Sequence, residues 1–417
     1  MSRSDAPVRL RPEIDVPWPQ APTAFEETML GLAHDPARPA VDLFSGACVE
    51  VFEHRRADRY DYPLGQVFEP DVLAEVALLA GLAPAAVASL EHAPTERIAA
   101  LRAEVEDAAR LTPERGVNLA SALISVSRFD LAGRVIEAVR AGAPDARARF
   151  ETAMLGFITD NRSADGTEAH RWFAAMREAV EEGGIPDARV VDACTQAVVW
   201  FLKRGDVSRE DFAWFTRTGH RIVTERADTL PDSALSSWYR GVAMLPARLR
   251  RAASTRRAME NARQTAERVV SRDAAVYDRH LLKTYYESSV KEHLYVTRNE
   301  AEAERFARLL IELDELWSVS WGELGELMLE FGRLPEAAAA FDTAARLGPP
   351  YLRYHLSRAA ETHERLDHPE EAARRRYALS LFADAPASVL ADGLRLTSDA
   401  RLRAHFTERL SAAGGRA

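Results

Sequence analysis

The chain has 417 residues, of which 47% are hydrophobic and 28% charged, with a formal net charge of −10. That is enough apolar material for a large core, and the acidic balance argues against a general nucleic-acid or anionic-membrane binder. Cys48 and Cys194 are the only cysteines, too few and too far apart for a disulfide framework or a zinc site. The opening MSRSDAPVRL leads into no apolar stretch, and no run of about 18 apolar residues follows anywhere. The expectation is a soluble cytoplasmic protein without membrane contact. Lys203, Lys283 and Lys291 are the only lysines, and we read the excess of arginine as a bias of genome composition.

In chain order, residues 1–24 hold Pro7, Pro12, Pro17, Pro19 and Pro22 among polar residues, which predicts an extended arm with Trp18 as its one anchor. Two amphipathic helices are expected from Ala24 to about Arg59, broken near Asp35-Pro36 and Pro39, with a loop at Tyr60–Pro63. An N-terminal helical region extends to about residue 112. Within it, residues 73–92 place small Ala77 in a first helix, Gly81 at a turn, and Leu82, Val87 and Leu90 at buried positions. This stretch resembles a repressor-type helix-turn-helix. Its second helix, Pro84 to His92, carries no Arg, Lys, Asn or Gln to reach base edges, so a degenerate helix pair without DNA contact is the favoured reading of the pattern.

From about residue 113 to 410 a repeat is legible, with a frayed tail expected at 411–417. Its fullest unit is Trp321–Pro350. Trp321, Leu324 and Met328 make one apolar face of a first helix, and Ala337, Phe341 and Ala344 one of a second. Gly325 and Ala337 lack bulk where the faces meet, Gly332 ends the first helix, Pro335 sits in the first turn of the second, and Pro349 stops it. These positions resemble a tetratricopeptide repeat, with Met328 where that family usually has Tyr. Gly116, Leu119, Ala120, Leu123, Ala132, Ile136, Val139 and Pro144 repeat the spacing early in the chain. Weaker units open at Phe150, Ala153, Met154 and Phe157 and close at Ala169, Phe173 and Met176, after an insertion at Asp160–Gly166. Helix pairs are expected at about 187–226, 232–272 and 274–316, and a last unit at Leu356, Ala359, Ala373, Tyr377 and Leu381. The resemblance implies an all-α, right-handed superhelical solenoid of antiparallel helix pairs, each needing neighbours to bury its apolar faces.

Enzyme signatures are sparse: no P-loop, G-x-G-x-x-G, G-x-S-x-G or C-x-x-C occurs. His363 and His368 lie five apart, one residue too many to share a helix face as zinc ligands do. Ser288–Lys291 has the S-x-x-K spacing without its partner motifs, and Cys48 stands near Glu50 and His54 without a spacing that delivers the imidazole to the thiol. No metal site and no cofactor are expected. One helical region gathers Tyr277, Asp278, His280, Tyr285, Glu287 and His293, a candidate for a site assembled from scattered residues.

Charge is anomalous in one place. Eight arginines fall between Arg248 and Arg272 against Glu260 and Glu267, and Arg250, Arg257 and Arg268 have the spacing of one face. Arginines pair bidentately with carboxylate or phosphate, so an anionic partner is one reading and pairing with neighbouring repeats the other. If the repeat resemblance holds, the first helices line a partner-binding groove. Its lining would be Glu326, Leu329 and Glu330; Ser121, Ile124 and Ser125; Leu155, Ile158 and Thr159; and Glu361, Glu364 and Arg365. The expectation is a non-enzymatic scaffold or sensor for a peptide, protein segment or small ligand. A transcriptional regulator with a repeat effector domain, and an all-α enzyme with a site between repeats, remain the alternatives. Nucleic acid is confined to the former, and nothing sets an oligomeric state.

Overall fold

Apolar residues recurring every three or four positions wind the chain into helices, and each helix buries its stripe against the next. The computed structural model describes residues 77–414, apart from 84–85, 87–88, 90–91, 126–127, 164–165, 271–275, 314–316, 348–350 and 383–384. The Pro-rich arm with Trp18, the two helices expected before Arg59, the Cys48–His54 stretch, most of the Pro84–His92 helix, and Pro349 lie outside the described residues. No strand occurs among the described residues.

These residues fall into two compact units, one reaching to Ala303 and one beginning at Glu304. In the amino-terminal unit Gly81 turns the chain at φ 63, after which come α1 (Thr95–Glu106) and the pairs α2 (Pro113–Ser125) with α3 (Phe129–Ala141), and α4 (Ala146–Ser163) with α5 (Ala169–Glu182). Then follow α6 (Asp187–Arg204) with α7 (Glu210–Arg226), and α8 (Asp232–Val242), which a short α9 (Met244–Arg248) links to its partner α10 (Ala252–Val270). α11 (Val276–Tyr295) and α12 (Glu300–Leu313) occupy the span expected of the next pair. The carboxy-terminal unit contains α13 (Ser318–Glu330) with α14 (Leu334–Leu347), α15 (Leu352–Arg365) with α16 (Pro369–Ser380), and α17 (Ala387–Leu396) with α18 (Ala400–Gly414). The fold is all-α and tetratricopeptide-like. The α17/α18 pair was not foreseen in the sequence pattern, and α18 continues past Ser411.

Within α13/α14 the expected seam forms. Trp321, Leu324, Met328, Ala337, Phe341 and Ala344 are all buried, and full burial of a side chain the size of Phe341 contributes about 1.5–3 kcal/mol. A Cβ on Gly325 would stand 2.8 Å from the Phe341 ring, so the missing side chain is what lets the backbone approach. Gly332, at φ 70, donates to the Leu329 carbonyl (3.0 Å) while Arg333 donates to that of Met328 (2.8 Å), closing α13 in the left-handed turn that glycine permits. In α2/α3 the matching positions Leu119, Ala120, Leu123, Ala132, Ile136 and Val139 are buried as well. There the bulk has changed sides: a Cβ on Gly116, in the register of Trp321, would lie 2.2 Å from Val139, in the register of Ala344.

At the insertion expected at Asp160–Gly166, α4 runs on to Ser163, and buried Asp160 accepts from the Glu168 N–H (2.9 Å) and Thr167 Oγ1 (3.2 Å), tying the end of α4 to the start of α5. One expectation needs correction: Ile124 and Thr159, expected on an open groove, are buried instead.

Neighbouring pairs are tied by ion pairs about one repeat apart in sequence. Arg171 reaches Glu137 and Arg177 reaches Asp211, each 34 residues away, and Arg375 reaches Asp342 across 33. An exposed pair such as Arg171–Glu137 contributes only about 0.2–1 kcal/mol, whereas Arg375–Asp342 is buried; the pairs set register while apolar burial supplies most of the stability.

Gly325→Ala is expected to destabilise the protein by about 1–3 kcal/mol through overpacking against Phe341. The same change in a Phe341→Leu background should cost clearly less, both read from urea unfolding followed by far-ultraviolet circular dichroism.

Candidate functional site

The first helices of the carboxy-terminal unit present an ordered charged face. On α15, Tyr354, Arg358, Glu361 and Arg365 follow one another at four-, three- and four-residue intervals, so they share one side of the helix, while Tyr351 stands just before it at φ 66. Tyr351 is 59% and Tyr354 48% exposed. Glu326 on α13 accepts from Tyr354 Oη (2.6 Å) and from Arg358 Nε and Nη2 (2.7 and 2.9 Å), while Arg358 Nη1 reaches Glu361 (2.8 Å). Burial alone would raise the Glu326 carboxyl, but the hydrogen bonds from Arg358 and Tyr354 outweigh it and hold it below its ordinary value. Glu364 bonds Arg376 (2.9 Å) and Arg395 of α17 (2.6 Å). Of the groove residues expected from sequence, Glu326, Glu361 and Glu364 are thus engaged in this ladder. Glu330 and Arg365 are exposed.

Beneath the stripe lies His355. It is buried against Gly322, where a Cβ would stand 2.4 Å from Nε2, and burial pushes its pKa down to about 4, with Glu326 opposing. On the far side, Asp342 takes both Nε and Nη2 of Arg375 (2.9 and 2.6 Å) and Nε2 of His363 (2.9 Å). Burial would raise Asp342; these donors outweigh it and lower it. His368 follows Asp367, at φ 59, beyond the end of α15. His363 therefore serves a carboxylate, and no cluster of metal-ligating side chains occurs among the described residues.

In the amino-terminal unit the arginine stripe divides. Arg250 does not share a face with Arg257 and Arg268: it sits at φ 53 in the turn before α10, which starts at Ala252. Arg256 pairs with Glu292 (3.2 Å), Arg263 with Glu260 and Glu267, and Arg268 donates through Nε and Nη2 to Asp232 (3.0 and 2.6 Å). Arg248 donates to the Leu202 carbonyl (3.1 Å). Arg250, Arg251 and Arg257 are exposed. Where α8 meets α10, a cleft of about 620 Å³ is lined by Asp228, Leu230, Asp232, Leu235, Tyr239, Asn261, Gln264, Thr265 and Arg268.

The polar cluster expected on α11 is brought together only in part. Tyr285 and His293 both approach Arg256 (3.4 and 3.3 Å), whereas Glu287 turns to Lys283 (3.8 Å). The side chains of Tyr277, Asp278 and His280 lie outside the described residues. Glu292 and Ser289, missed in the sequence, are buried beside them, and burial raises the Glu292 carboxyl against the pull of Arg256. Their signal was the spacing Tyr285, Ser289, Glu292, which puts all three on one side of α11.

No family model matches the chain, and no curated protein does. Among solved structures it is similar to the assembly chaperone of RpL4 (Acl4, residues 1–338), at 15% identity over 72% of this chain and 100% of that one, TM-score 0.36. It is also similar to a signal-transduction ATPase with numerous domains and a tetratricopeptide repeat sensor from Pyrococcus horikoshii, at 11% identity over 94% of this chain and 67% of that one, TM-score 0.42. A third is the Cut9–Hcn1 hetero-tetramer of the APC/C, at 12% identity over 88% and 94%, TM-score 0.22. No helix among the described residues is long and apolar enough to cross a membrane.

The buried imidazole gives the α13/α15 seam a pH signature. Unfolded, His355 takes up a proton below about 6.5; folded, it does so only near 4. The unfolded state binds more protons in between, so stability rises with pH across that window by about one proton's worth of slope. His355→Gln is expected to flatten the profile between pH 4 and 6.5 relative to the parent protein, as measured by urea unfolding at each pH.

Proposed function

We propose that the protein is a non-enzymatic scaffold that binds a segment of a partner protein across the first helices of its carboxy-terminal unit. One observation carries this reading: the α15 stripe of Tyr354, Arg358, Glu361 and Arg365, in which exposed Tyr354 is set among charges already fixed to α13, with a second exposed tyrosine, Tyr351, just before the helix. Tyrosine and arginine are the residues that most often anchor protein contacts, because each offers a flat apolar surface and a polar end. The Glu326–Arg358 and Glu364–Arg395 pairs hold the backing helices in register, so little ordering cost falls on the moment of binding. Glu330 and Arg365 offer opposite charges at the margin, which suits a partner segment of mixed charge.

A peptide-display selection on the full chain tests this. Enriched peptides are expected to bind at least about tenfold more weakly to Tyr354→Ser and to Arg365→Glu, by the loss of one anchor or one charged contact. A selection that enriches nothing over an unrelated helical protein, or peptides indifferent to both changes, would remove the α15 face as the binding surface.

A further inference from the structure

Lys203 of α6, Arg240 of α8 and Lys291 of α11 form, we infer, a site for a small ligand that carries two adjacent phosphates, free or as part of a nucleotide. The site belongs to the amino-terminal unit, whereas the α15 face belongs to the other, and it goes beyond the scaffold reading by adding a small-molecule ligand.

α6, α8 and α11 open three successive helix pairs, and each packs on the next. The contact between α6 and α8 is close: a Cβ on Gly241 would stand 3.1 Å from Thr195 and 3.2 Å from Val199. Lys203 follows Val199 by one turn and so continues that side of α6, while Arg240 adjoins Gly241 on α8. The charges of Lys291 and Arg240 both act on the Lys203 ammonium. Three consecutive first helices thus each deliver a cation to one place.

Nothing acidic answers Lys203. It makes no ion pair among the described residues, and burial, Lys291 and Arg240, in that order, all lower its pKa. Lys203 and Lys291 are nevertheless exposed. An ammonium that solvent reaches, but that the surrounding protein still disfavours, stands in a hollow open to a ligand. The acids nearest Lys291 on α11 are committed elsewhere, Glu287 to Lys283 (3.8 Å) and Glu292 to Arg256 (3.2 Å). Nor is Lys203 needed to close α6. The Gly205 N–H and Arg248 Nη1 already donate to the Leu202 carbonyl (3.3 and 3.1 Å), and the Asp206 N–H donates to that of Phe201 (3.1 Å).

Gathering like charges raises the energy of the unliganded protein, and a multiply charged anion removes that cost. A single carboxylate offsets one cation of the three, whereas two adjacent phosphates offset two or more. Lysine binds phosphate as a point charge, and two of the chain's three lysines stand here although its other cations are arginines.

Isothermal titration calorimetry on the full chain tests this with inorganic pyrophosphate, ADP and citrate, the last a polyanion built of carboxylates. Pyrophosphate is expected to bind, citrate at least about tenfold more weakly, and Lys203→Gln and Lys291→Gln each to weaken pyrophosphate about tenfold, the loss of one charge-assisted contact. ADP binding tighter than pyrophosphate assigns the ligand as a nucleotide; equal affinity assigns the diphosphate alone. Nuclear magnetic resonance of protein isotope-labelled at its three lysines gives a second reading. Pyrophosphate is expected to move the Lys203 and Lys291 signals and to leave that of Lys283, buried beside Glu287, in place. Absence of binding to the parent protein, binding indifferent to both lysine changes, or a shift confined to Lys283 overturns the site. Citrate that binds as tightly as pyrophosphate overturns the choice of phosphate. Tyr354→Ser, a change in the α15 face, should leave pyrophosphate binding unchanged, so the two readings fail separately; circular dichroism confirms that each variant folds.

Discussion

The structure depends on one constraint: a pair of short helices has two apolar faces and can bury only one of them internally. The Trp321–Phe341 pair satisfies its inner face by letting Phe341 lie on Gly325. Its outer face still needs a neighbour, and α15 supplies one through buried His355 and Leu356. Stacking is therefore a requirement of burial, and it produces long surfaces on which first helices stand beside first helices.

Arginine performs in this chain much of the work that packing alone leaves undone. The pairs Arg171–Glu137, Arg177–Asp211, Arg358–Glu326 and Arg375–Asp342 each bridge one repeat to the next. A guanidinium reaches across two helices and still presents a fork to a carboxylate, which suits an inter-repeat clamp. Where a neighbour offers no acid, as for Arg257 and Arg365, the same side chain is left to the solvent. Arginines that clamp repeats and arginines left to the solvent thus differ by what stands opposite them.

The two surfaces differ in character accordingly. On α15 Arg358 and Glu361 are compensated while Tyr354 protrudes. At the α8/α10 seam the aromatic content is small, and Asn261, Gln264, Thr265 and Tyr239 line the cleft beside the paired Asp232 and Arg268. The group around Arg256, Glu292 and His293 serves the joint between α10 and α11.

The sequence alone determined the repeat and its seams, because the spacing of Trp321, Gly325, Ala337 and Phe341 is a local property: it follows from helical periodicity and the size of each side chain. It also marked Gly332 as a helix end, since few other residues accept that backbone. It did not reveal that α4 runs through to Ser163, which depends on Asp160 reaching the start of α5, nor that Arg250 leaves the face of Arg257 and Arg268. It named Glu326, Glu361 and Glu364 as groove residues without showing that Arg358, Arg376 and Arg395 hold them. Only the tertiary structure decided these, for charge pairing acts between side chains some thirty residues apart, and the identity of a partner at that distance is set by how the helices stack.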